Sequence, residues 1–187
     1  MRAGIAVILC VLFLLSGCGS AGKPIDNALL LRNKLLESDG CSFRADITVD
    51  YGEEVHVFTM DCKTDKEGNL SFTVISPTTI SGIKGNVTDH SGSLIFDDQV
   101  LAFPTIADGQ VTPVTAPWLF MKTLRSGYIH ASTDSDAGYS VVIDDSYQDN
   151  ALRLLITVSA ENLPVSGEIF WDGRRILTVN VEEFKIL

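Results

Sequence analysis

From Cys41 to the end of the chain, short runs rich in Val, Ile, Thr and Phe alternate apolar with polar residues, and Gly, Asn and Asp clusters separate them. A period of two puts alternate side chains on opposite faces of a pleated strand, so this stretch reads as antiparallel sheet. The runs fall near residues 41–50, 53–63, 69–76, 80–88, 93–96, 99–103, 128–133, 139–144, 151–158, 165–171 and 175–184. The fold class is therefore α+β, mainly antiparallel β, with about ten or eleven strands.

Two segments break the pattern. Pro24 can open a helix at its first position, Ala28, Leu31 and Leu35 recur at helical spacing, and Gly40 is placed to end it, which predicts a helix over 24–39. Residues 112–127 begin with Thr112, hold early prolines at 113 and 117, and end at Gly127. In this second helix Trp118, Met121 and Leu124 share a face with Phe120 beside them, too apolar to lie against water. Several late strands carry apolar residues on both faces: Leu155 interrupts the set Leu152, Leu154 and Ile156, and Ile169-Phe170-Trp171 and Ile176-Leu177 are consecutive. Both faces of the sheet are thus expected to be covered, one by helices and the other across a cavity.

The amino terminus follows other rules. Arg2 precedes an apolar run from Ile5 through Leu15, too short for a bilayer span of ~20 residues but suited to a cleaved export signal. The run ends in Leu15-Ser16-Gly17-Cys18, which is similar to the bacterial lipobox, where a diacylglyceryl group is attached to the Cys and the chain is cut before it. Residues 1–17 are read as a lipoprotein signal peptide, 18–23 as a lipidated, small-residue tether, and 24–187 as one domain. The lipid on Cys18 would hold the protein on the extracytoplasmic side of a bacterial membrane. Loss of Arg2 with the signal takes the formal charge from −10 to −11, so neither nucleic acid nor anionic headgroups suit the remaining surface.

Cys10 leaves with the signal, and acylation would consume Cys18, so Cys41 and Cys62 remain. They flank Asp50-Tyr51-Gly52-Glu53, which fits a two-residue hairpin loop at 51 and 52. If 50 faces 53, then 41 faces 62, and the same register sets Phe43 against Met60, Ala45 against Phe58 and Ile47 against His56. Facing cysteines at a non-hydrogen-bonded position, in an oxidising compartment, predict a Cys41–Cys62 disulfide.

Catalytic constellations are not evident. No G-x-S-x-G elbow occurs, and His56, His90 and His130 fall on separate segments without metal-ligand spacing. Asp134-Ser135-Asp136-Ala137-Gly138 opens like a calcium loop but has Gly138 fifth and Asp145 twelfth, where ligands are required. The reading is a protein that is not an enzyme and needs no metal or cofactor.

The order of tether, amino-terminal helix, strands, mid-chain apolar helix and further strands resembles the LolA/LolB-like lipoprotein superfamily. The most suggestive stretch is Leu70 through Pro77 running into Ile80-Ser81-Gly82-Ile83, with Ser76 before the proline where the superfamily carries Arg. The resemblance implies a curved half-barrel sheet whose concave face is covered by the two helices over an apolar cavity. That cavity would be lined by Phe43, Phe58, Met60, Phe72, Val74, Trp118, Met121 and Trp171, and would hold a lipid, acyl chain or other hydrophobic ligand. The alternative is a non-catalytic envelope interaction module docking onto a cell-wall or sporulation/germination protein, with a filled core and an exposed apolar edge.

Overall fold

The computed structural model describes residues 23–50, 55–103 and 111–187. The signal peptide, Cys18 and most of the tether, and the proposed Tyr51-Gly52 turn, lie outside the described residues. Helix α1 is Lys23–Glu37; strands β1 to β6 are Gly40–Asp50, Val55–Asp65, Leu70–Ser76, Lys84–Val87, Gly92–Phe96 and Gln99–Phe103. Helix α2 is Ala116–Ser126, and β7 to β11 are Tyr128–Ser135, Gly138–Asp144, Arg153–Ser159, Pro164–Trp171 and Arg174–Ile186.

All eleven strands join one antiparallel sheet in the order β6-β5-β4-β3-β2-β1-β11-β10-β9-β8-β7. Every connection except β1 to β11 links neighbours in sequence, and β6 and β7 end the sheet, so it curves without closing into a barrel. Both helices lie on the concave side: α2 packs on β1, β8 and β11, and α1 packs on α2, β7 and β8. The core is the alternate set of each strand, with Phe43, Ala45, Ile47 and Val49 from β1, Leu154, Ile156 and Val158 from β9, and Leu177 and Val179 from β11. At Gly167 of β10 only a glycine leaves room for α2, since a Cβ there would stand 2.6 Å from the Phe120 ring.

The arginines lock the helices together. Arg32 of α1 donates from Nε to the Leu124 carbonyl and from Nη2 to that of Gly127, both at 2.8 Å. Arg125 of α2 returns the contact, donating to the Leu35 carbonyl at 2.7 Å and the Lys66 carbonyl at 2.6 Å. Each helix therefore has carbonyls of its last turn, or just past it, satisfied by a cation from the other.

Four expectations change. Helix α1 ends at Glu37, and Gly40 is the first residue of β1, needed because its φ is +136° and a Cβ would meet the Thr64 carbonyl at 2.0 Å. Helix α2 begins a turn later than 112, because the Thr115 and Ala116 amides bond the Thr112 carbonyl in a turn. The strand read over 80–88 starts at Lys84, since Pro77 to Ile80 is a hydrogen-bonded turn and Gly82 has φ +89°. The helices cover only one face of the late strands. On the other, Val142, Leu155 and Phe170 are half-buried along a solvent-open groove of about 500 Å³ that also touches Asp144, Gln148 and Arg153.

The hairpin register is corrected as well. Asp50 pairs with Val55, so four residues rather than two separate the strands, and Cys41 faces Thr64 while Cys62 faces Phe43. Ala45 faces Met60 and Ile47 faces Phe58. Cys41 and Cys62 are diagonal neighbours on the core face and both are free thiols. The Cys41 Sγ lies 3.1 Å from the Thr64 hydroxyl, and burial pushes both thiols above their usual range.

Candidate functional site

A groove of about 560 Å³ opens where three pieces of chain meet: the end of β1, the segment leading into α2, and the β10–β11 hairpin. Its apolar lining comes from Val49, Val111, Pro113, Trp171, Ile176 and Leu177, and its polar groups are Asp50, Thr112, Asp172 and Arg174. The hairpin is set by Asp172-Gly173, both at positive φ (48° and 74°), the sequence and geometry of a two-residue turn that follows the strand twist. Trp171 pairs with Arg174 at its base. A register shift between Ile169 and Phe170 adds a residue on β11, which lets the consecutive Ile176 and Leu177 both reach the groove.

Trp171 is 41% exposed, whereas Trp118, the other tryptophan, is 2% exposed. Large apolar side chains left open to water beside a concavity are what a ligand site requires, and the volume lies within the roughly 300–1,000 Å³ usual for small-molecule pockets.

The eight residues expected to line one cavity divide. Phe43, Met60, Phe72, Val74, Trp118 and Met121 are each exposed by 4% or less and belong to one continuous core. Their side chains pack with one another and with the rest of that core. Phe58 is half-buried against the same core, Trp118 and Phe72 each touch a separate, smaller surface groove, and Trp171 is the one of the eight that lines the groove at the hairpin. The missed residues were Val49, Val111, Pro113, Ile176 and Leu177. The doubled Ile176-Leu177 was the available signal, whereas Pro113 was absorbed into the predicted helix.

The histidines sit on separate exposed strands or turns. His130 contacts Asp144 through Nε2, and the Arg153 guanidinium grips the same carboxylate with Nε at 2.8 Å and Nη2 at 3.1 Å. These hydrogen bonds, Arg153 first, hold the Asp144 carboxyl below the usual range. Tyr128 meets the His130 ring edge-on and touches Tyr147. Among the described residues no cluster of His, Cys, Asp and Glu is arranged to hold a metal, and the Asp134 to Gly138 stretch is a β7–β8 hairpin.

No protein-family model and no curated protein sequence matches the chain. Solved structures do match it. An outer-membrane lipoprotein-sorting protein domain from Vibrio parahaemolyticus aligns with TM-score 0.50 at 10% identity, over 88% of this chain and 92% of that one. A LolA superfamily protein from Nitrosomonas europaea aligns at 0.45 with 10% identity, over 86% and 93%. A chain from the structure of the CwlD amidase of Clostridioides difficile in complex with the GerS lipoprotein aligns at 0.43 with 14% identity, over 90% and 98%. Two helices laid on one side of an open, eleven-stranded antiparallel sheet give this chain a LolA-like fold.

Proposed function

We propose that the protein is a non-catalytic binding protein, tethered through lipid on Cys18 to the extracytoplasmic side of a bacterial membrane, that takes an acyl chain or similar apolar ligand into the groove beside Trp171. The observation that carries this reading is the open, mostly apolar groove of about 560 Å³ with a large, half-exposed indole at its mouth. Apolar walls accept a chain of any chemistry that is greasy enough, and the few polar groups, Arg174 among them, would orient a head group. A fluorescent fatty-acid probe tests it. Saturable binding should be lost in Trp171→Glu, with circular dichroism unchanged, and retained in a conservative Trp118→Phe. Binding that ignores Trp171→Glu, or no saturation at micromolar probe, refutes the site.

A second reading, docking onto an envelope protein, is favoured by a different observation. The β5–β6 hairpin at the sheet edge exposes Phe96 at 59%, Val100 at 68% and Leu101 at 64%. An edge strand with apolar side chains is a template for pairing with another chain. Absence of probe binding, together with an envelope protein that co-purifies with the wild type and is lost in Val100→Lys, would select this reading.

A further inference from the structure

Helix α1 has two apolar stripes, and packing explains only one. Ala28, Leu31 and Leu35 are buried against the core. Ile25, Leu29 and Leu36 lie within about 40° of one another around the helix axis but well away from that line. They are 37%, 43% and 45% exposed, and Leu30, further round, is 55% exposed. Asp26 and Asn33 border the stripe on one side and Arg32 on the other. The helix carries Lys23, Arg32 and Lys34 against Asp26 and Glu37, one net positive charge in a chain whose total is −10.

What covers this stripe is decided by where α1 sits in the chain. Five peptide steps separate Cys18 from Lys23, a reach of at most about 18 Å when fully extended. If lipid on Cys18 lies in a bilayer, α1 must begin within that distance of the surface. We infer that α1 seats Ile25, Leu29 and Leu36 in the membrane interface, in the manner of a surface-lying amphipathic helix. The inference rests on the anchoring of Cys18. Two acyl chains already hold the protein, so the contribution of the stripe is orientation: it fixes how the half-barrel stands on the bilayer. A mildly cationic helix suits that position better than the acidic remainder of the surface.

The experiment uses the full-length lipoprotein reconstituted into phosphatidylcholine vesicles, with an environment-sensitive NBD fluorophore on single introduced cysteines. Leu29→Cys and Leu36→Cys report the stripe; Asn33→Cys, on the same helix, and Tyr147→Cys, a residue 86% exposed on the β8–β9 loop, report water. Cys41 and Cys62 are buried and stay unlabelled under native conditions. Probes at 29 and 36 should brighten several-fold on reconstitution and be quenched by nitroxide-bearing lipid, while those at 33 and 147 should not. Stripe probes as wet as the controls in protein that floats with the vesicles would overturn the seating and leave the anchor standing. Brightening without lipid quenching would also overturn it, since a protein would then be the cover. Wild type that fails to float would remove both the anchor and the inference.

Discussion

The space beneath α2 and the space beside the β10–β11 hairpin are lined by the same kinds of side chain, yet only the second is open. Beneath α2, Trp118, Phe120 and Met121 belong to one core with Met60 and Ile156, and each is 2% exposed or less. At the hairpin, Trp171 and Ile176 meet Val111 and Pro113 across a groove of about 560 Å³. The difference lies in what lies over each. A helix brings side chains to a sheet at close, regular spacing, whereas, among the described residues, the turn leading into α2 sets Val111, Thr112 and Pro113 by the strand ends. Whether apolar bulk becomes core or binding site is thus settled by the element opposite.

The sharpest way to break this comparison is to truncate a tryptophan on each side. Trp118→Ala should lower stability by about 3–5 kcal/mol, the usual range for emptying a large buried aromatic site. Trp171→Ala should lower it by roughly half of that or less, because much of the ring is already in water. Urea titration of both variants measures the contrast. Equal losses would mean that Trp171 is packed like a core residue and that the groove is closed in solution.

The arginine clamp comes next in size. Arg125→Ala removes two charge-assisted hydrogen bonds to the Leu35 and Lys66 carbonyls, and a loss of about 1.5–3 kcal/mol is expected. Arg125→Lys should recover only part of it, since an ammonium cannot span both carbonyls with the same fork. If the groove is independent of the clamp, fatty-acid probe affinity should be unchanged in both variants under conditions where they remain folded.

Much of the architecture was legible in the chain, for identifiable reasons. Strand identity follows from a period of two where alternate residues are buried, as in β1, β3, β8 and β9, and from short apolar runs between turn residues in β6. Helix α2 was readable because Trp118, Met121 and Leu124 have no strand-like alternation. The β1–β2 register was not readable. Shifting the pairing from Cys41 opposite Cys62 to Cys41 opposite Thr64 moves the partner strand by two residues, and a two-residue shift leaves every side chain on its original face. Hydrophobic pattern cannot distinguish the two, and only loop length does. The groove was hidden for a related reason: large apolar residues announce burial or binding equally, and the choice depends on which segments distant in sequence, such as those of Val49 and Pro113, come to line one groove.

A smaller effect tests how completely the side under α2 is filled. Thr123 is 1% exposed, and its Oγ1 has no hydrogen-bond partner among the described residues. A buried hydroxyl without a partner is destabilising, and Thr123→Val keeps the shape and the β-branch while removing the polar atom. Stability should rise by about 1 kcal/mol, read as a higher urea midpoint at constant slope. No gain would mean that water or a mobile carbonyl reaches this hydroxyl, and that the core under α2 is looser than its burial indicates.

The smallest expected effect separates the observed register from the one the turn sequence suggested. A disulfide closing a loop of ~20 residues should contribute on the order of 3 kcal/mol in the chain-entropy model, and reductant would then lower the urea midpoint. With Cys41 against Thr64 and Cys62 against Phe43, the two sulfurs are diagonal neighbours with other partners, and burial disfavours the thiolate that would have to start the oxidation. Reductant should therefore leave the midpoint of exported protein unchanged. Mass spectrometry after alkylation should find both thiols free, modified in urea and unmodified in native buffer. A midpoint that falls with reductant, accompanied by a cross-linked Cys41–Cys62 peptide, would place the hairpin in the two-residue-loop register and move Met60 from Ala45 to Phe43, altering the packed side of the comparison while leaving the groove at the β10–β11 hairpin where it is.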